Sequence, residues 1–171
     1  REYLRSVHSS AELDCSFIAA ATDNPDIFGQ EAFRSYTTPN LEKLSSEASS
    51  LGLPTVFHPH GDFSSQANLP LIEEITTIGI EGFQFAERND AEILKREFSD
   101  QVCLMGGIDA FSTLLLGPHD KIVQETEGFL QTFRPWTGYV FMCSCSLHRG
   151  MPLQHVDQMM RAVRGFPGKG I

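Results

Sequence analysis

Thr55-Val-Phe-His-Pro-His-Gly61 is a short apolar run that ends in two histidines one residue apart and then breaks at a glycine. It reads as the C-terminal end of a buried strand. Side chains alternate faces along a strand, so His58 and His60 point the same way, and Pro59, which cannot donate to a ladder, marks where regular pairing ends. Two imidazoles on one face make a two-pronged ligand set. The alternative is one satisfied loop histidine and one exposed one. A second run, Tyr139-Val-Phe-Met-Cys-Ser-Cys145, has the same build, with Cys143 and Cys145 sharing one face at its far end. If the two strands are near neighbours, imidazole and thiolate groups converge on one point.

Outward from the histidine strand, helical and strand patterns alternate. Upstream, Glu2 to Ser10 reads as the end of a helix and Cys15 to Thr22 as a buried strand that opens into a loop at Asp23-Asn-Pro. Gln30 to Leu51 is helical in composition, broken at Pro39 with Thr38 as a cap and closed by Gly52. Downstream come a helix over Leu69 to Ile78, a strand over Glu81 to Phe85, a helix over Asp90 to Phe98, and a strand over Val102 to Gly106. Helices over Ala110 to Leu116 and His119 to Phe133 lead into the cysteine strand. A last helix over Pro152 to Arg164 closes the pattern. This order predicts right-handed βαβ units and a parallel sheet. The expected fold is α/β: one domain over 1–171, part of a (β/α)8 barrel with about five βα units, where a complete barrel needs ~250 residues.

Composition limits what such a domain does. With 171 residues, 41% hydrophobic and 20% charged, the chain is built for a globular core. A formal net charge of −9, with no basic block to offset it, argues against a nucleic-acid or anionic-membrane surface. No apolar run is long enough to span a bilayer and no signal-peptide pattern opens the chain, so the expected compartment is the cytoplasm. Four cysteines are then read as reduced thiols, Cys15 and Cys103 as small buried hydrophobes. An incomplete parallel barrel has two open edges, which predicts self-association.

Polar and glycine-rich residues cluster at the C-terminal ends of the expected strands, the edge where barrel chemistry sits. They nominate Asp109 and Asp23 as catalytic carboxylates, with helix or turn capping as the alternative, and Gly106 and Gly107 as cofactor-binding backbone. Glu87 lies on the same edge. Trp136 is either a loop-tip anchor or barrel packing.

Several segments together resemble the C-terminal portion of the uroporphyrinogen decarboxylase superfamily, in its branch of corrinoid-dependent zinc methyltransferases. The approach from Phe28 to Leu44 into the strand ending at His58 and Gly61 is similar to that family's H-x-C-G segment. Gly106-Gly-Ile-Asp109 with Leu114-Leu-Leu-Gly-Pro118 resembles its G-N-x-D loop and following helix start, and Met151-Pro-Leu-Gln-His-Val156 resembles its last helix. The resemblance implies a zinc-ligating cysteine at Cys145, where the decarboxylases carry a histidine. It also implies a methylated corrinoid on a separate carrier protein as methyl donor and a small thiol as acceptor. The sequence departs from the motif at His60, which stands in place of a cysteine. Zinc accepts imidazole as readily as thiolate, so His58, His60 and Cys145 remain a three-ligand set with one open position. The extra imidazole leaves the metal more positive, lowering the pKa of a bound thiol while making its thiolate less nucleophilic. Cys143 is a compensating ligand candidate. Glu87 lies near, but not on, the position of a zinc-binding glutamate found on the methionine-synthase side of the superfamily. Two other readings stand beside this one: tetrapyrrole decarboxylation without metal, and a non-catalytic partner-binding module.

Overall fold

The computed structural model describes residues 2–167. Helix α1 (Glu2–Ser10) precedes strand β1 (Ser16–Ala20), and α2 (Pro25–Phe28), α3 (Gln30–Ala32), a π-helical turn (Phe33–Thr37) and α4 (Thr38–Ser50) lead to β2 (Thr55–Pro59). Then follow α5 (Leu69–Thr77), β3 (Gly82–Gln84), α6 (Ala91–Phe98), β4 (Cys103–Gly106), a second π turn (Ala110–Leu115), α7 (His119–Thr132), β5 (Tyr139–Phe141) and α8 (Leu153–Gly165). The five strands form one parallel sheet in chain order. Sequential parallel neighbours joined by helices are an arc of a (β/α)8 barrel, as expected.

Register explains where the core lies. Ile18 pairs with Phe57, Phe57 with Phe83, Phe83 with Leu104, and Leu104 with Tyr139. Partners in register share a face, so these residues form an apolar ladder on the helix-covered side. Against it pack Phe33, Leu41, Phe63, Leu71, Ile72, Ile75 and Leu94, all buried. Full burial of each such side chain is worth about 1.5–3 kcal/mol. Phe33, Phe63 and Phe83 meet edge to face at 5.7 and 5.4 Å. A second cluster, Ile108, Ala110, Leu114, Ile122 and Met159, seats the closing helix. On the opposite, concave face Ala19 pairs with His58 and Gln84 with Met105. The two edges of the sheet are open there: Phe17 on β1 is 50% exposed and Val140 on β5 is 43% exposed.

Three local expectations are corrected. Pro39 does not break its helix and Thr38 is not its cap. The chain stays helical and relaxes into a π turn just before Pro39, which sits in the first turn of α4, and no side chain caps that start. Proline lacks the N–H that Ser35 would need and its ring crowds that carbonyl, so a wider turn resolves both problems. Cys15 is exposed just before β1 rather than buried, and Cys103 is half-buried on the concave face; all four cysteines are free thiols. Finally, β5 ends at Phe141, four residues before Cys145. Beyond it the chain is held by isolated bonds, Met142 N–H to the Gly106 carbonyl (3.1 Å) and Ser144 N–H to the Ile108 carbonyl (2.9 Å). The Ser144 hydroxyl accepts from the Ala110 amide at 3.0 Å.

Candidate metal centre

His58 and His60 come off the end of β2 on one face, as period-two geometry requires, with ring centroids 5.1 Å apart. Cys145 reaches them from beyond β5, its Sγ 3.9 Å from His60 Nε2. Ligand atoms of His58, His60 and Cys145 all lie within 4.8 Å of one another, and they are the group of this kind among the described residues. Tetrahedral zinc, with bonds of about 2.0–2.1 Å to nitrogen and about 2.3 Å to sulfur, holds its donors some 3.3–3.7 Å apart. Closing the observed spacing takes about an ångström of side-chain rotation, so the donor set fits a zinc ion with one position left open.

The site is fixed from behind. His58 is buried, and its Nδ1–H donates to the Gln84 carbonyl at 3.1 Å, which leaves Nε2 as the free lone pair. Burial lowers the His58 pKa from its ordinary 6.5; the Gln84 carbonyl opposes that, the neighbouring His60 adds to it, and the Glu87 carboxylate opposes it. The net result is a ring kept neutral, the form that ligates. The main chain of the loop after His60 is pinned by side chains from α2 and from the segment after β3. The Asp62 amide donates to Asp26 (2.8 Å), the Phe63 amide to Asn89 (2.8 Å), and Asn89 to the Gly61 carbonyl (2.9 Å).

Other nominated residues divide. Cys143 is not brought into the group. Its thiol donates to the Cys145 carbonyl at 2.8 Å and packs with Ile108, Ala110 and Leu114, and burial raises its pKa. The reason is the early end of β5: past Phe141 strict alternation no longer holds the two cysteines on one face. Glu87 is exposed and outside the ligand group, acting on His58 only through its charge. Asp109 caps the second π turn, accepting from the Phe111 and Ser112 amides and from the Ser112 hydroxyl at 2.5 Å. Burial pushes its pKa up, but these bonds and the Lys121 charge outweigh it and hold the carboxyl below its ordinary value. Asp23 accepts from the Thr37 hydroxyl at 3.0 Å and lines a cavity of about 380 Å³ with Asn24, Phe28, Phe33 and Tyr36, at the end of β1. Gly106 and Gly107 are buried where β4 meets Phe85 and the start of the cysteine loop, so their smallness serves packing.

Gln84 escaped notice in the sequence. A lone amide inside the apolar run Gly82-Phe-Gln-Phe85 was the available signal, because a polar side chain in a strand covered on both faces must find a partner. It is 3% exposed and donates through Nε2 to the Cys143 carbonyl at 3.3 Å.

His58 also sets a pH dependence. Its folded pKa lies below 6.5, so the unfolded chain takes up that proton first as pH falls. The stability tied to the neutral ring is therefore complete above about pH 6.5 and is lost as pH drops through the folded value. Denaturant midpoints of the metal-free protein, measured from about pH 7.5 to 5, are expected to fall more steeply than those of His58→Gln. Parallel curves would remove His58 as the cause.

Comparison with known proteins agrees with this architecture. The chain is 27% identical over 157 residues to methylcobamide:CoM methyltransferase MtaA from Methanosarcina barkeri, covering 89% of this chain and 42% of that protein. It is 23% identical over 140 residues to uroporphyrinogen decarboxylase from Anaeromyxobacter dehalogenans (strain 2CP-C), 82% of this chain and 38% of that one. Among solved structures, a methyltransferase from Methanosarcina mazei superposes with a TM-score of 0.73 at 26% identity, over 90% of this chain and 42% of that chain. The chain thus spans less than half the length of these relatives. The family model for uroporphyrinogen decarboxylase (URO-D) matches residues 2–166, nearly the whole sequence, and the chain belongs to that family.

Proposed function

We propose that this chain carries the zinc-binding part of a corrinoid-dependent methyltransferase, moving a methyl group from a methylated corrinoid on a carrier protein to a small thiol. The convergence of two imidazoles and one thiol at the barrel mouth carries the reading, since a metal-free decarboxylation has no use for that donor set. The likeness to methylcobamide:CoM methyltransferases supports it. Zinc held by His58, His60 and Cys145 would supply, at its open position, a thiol ionised near neutral pH as the nucleophile.

The chain's own residues orient and hold. Gln84 fixes the His58 tautomer, the Asp62 and Asn89 bonds hold the loop that presents His60, and the Ser144 anchor to Ala110 positions the segment bearing Cys145. In the transfer, the acceptor sulfur forms the new bond to carbon, the cobalt–carbon bond breaks with its electron pair left on the corrinoid, and the acceptor's proton passes to solvent.

The test supplies the whole protein with methylcobalamin and a panel of small thiols, following the cobalt spectrum with and without a chelator. Chelator-sensitive loss of the methylated form is expected. Chelator-insensitive release of carbon dioxide from a porphyrinogen would put tetrapyrrole decarboxylation in its place.

A further inference from the structure

His58 and Cys145 enter the site from β2 and from beyond β5, two strands separated in the sheet by β3 and β4. Gln84, at the end of β3, touches both halves. Its main-chain carbonyl accepts from His58 Nδ1 at 3.1 Å, and its side-chain amide donates to the Cys143 carbonyl at 3.3 Å. From Cys143 a further bond runs to the Cys145 carbonyl, the residue whose Sγ lies 3.9 Å from His60. The segment bearing Cys145 has no regular ladder of its own, because β5 has already ended at Phe141.

We propose that Gln84 is the positioning residue that joins the two halves of this metal site, its backbone setting the histidine tautomer and its amide setting the reach of Cys145. The inference rests on the zinc reading above and goes beyond it, since Gln84 is not itself a ligand. A buried amide left without a partner is destabilising, so the bond to Cys143 is not incidental in this slot. Only the side-chain half can be altered by substitution, which separates the two roles: the Gln84 carbonyl that orients His58 survives any change of side chain.

The experiment uses the purified chain with zinc(II) and cobalt(II) as probes. Gln84→Met keeps the volume but removes the donor. Gln84→Asn keeps a polar group in the slot but is one methylene too short to reach Cys143, and it preserves the test if the methionine variant fails to fold. Both are expected to weaken zinc binding about 10–100-fold in chelator competition. With cobalt, the thiolate-to-metal charge-transfer band should weaken while histidine ligation persists. In a Cys145→Ala background, where the two histidines are left and their weaker zinc binding is followed by direct titration, the same substitutions should cost little more, because the ligand that they position is gone. Full affinity and a full charge-transfer band in both variants would overturn the proposal, and so would an equal loss in the Cys145→Ala background, which marks a merely structural role. Failure of the unaltered chain to bind either metal would overturn the zinc reading and the positioning role together.

Discussion

His58→Ala is expected to abolish stoichiometric zinc binding, an effect larger than the about 10–100-fold that follows from loss of a residue merely orienting a ligand. Three donors converge, and His58 is the most deeply set of them: buried, neutral, and with Nε2 aimed by the Gln84 carbonyl. Removing it leaves His60 and Cys145, one pair 3.9 Å apart on half-exposed loops, too few to keep zinc bound through purification. Metal analysis on freshly purified protein, beside a circular dichroism spectrum that checks the fold, measures the result. About one zinc per chain retained by a His58→Ala, Cys145→Ala double variant would assign the metal to other residues.

Gly107→Ala is expected to have the largest effect on stability outside the apolar core. A Cβ there would lie 2.6 Å from the Met142 carbonyl oxygen and 2.8 Å from the Phe141 ring. The first contact is backbone. It cannot turn aside, because Met142 is tied through its own amide to the Gly106 carbonyl. Overpacking of this kind costs about 1–3 kcal/mol, and the backbone at Gly107, with φ +156°, is one that L side chains rarely adopt, so about 3 kcal/mol or more is expected. Because the strained contact lies three residues before Cys145, zinc affinity should fall with it. A denaturant midpoint within experimental scatter of the unaltered protein would show that the β4 and β5 ends separate more freely than their bonds imply.

What could be read from sequence follows from where each pattern is local. The histidine pair was legible because one period of a strand fixes it: His58 and His60 share a face whatever lies around them. The βαβ order was legible for the same reason, as the alternation of apolar runs with amphipathic stretches and the glycine stops at Gly52 and Gly79 belong to the chain itself. By strand period alone the cysteine pair looked equivalent and was not, and only the family resemblance favoured Cys145. Its strand ends at Phe141, and where a parallel strand stops is decided by its neighbour's length and by the bonds that Gly106 and Ile108 offer across the gap. That choice turned Cys143 into the second apolar cluster and left Cys145 for the site.

The sequence by itself determined the strand that carries the histidines, the parallel arc around it, and the identity of the groups able to meet at its end, because each depends on the period of a short segment. The family resemblance had already pointed to Cys145; tertiary structure alone decided that β5 stops short and turns Cys143 away from the site, and that Gln84 spans β2 and the loop beyond β5. These are contacts between residues 26 to 59 positions apart, or the ends of strands set by their neighbours, and no local pattern encodes a distance across a sheet.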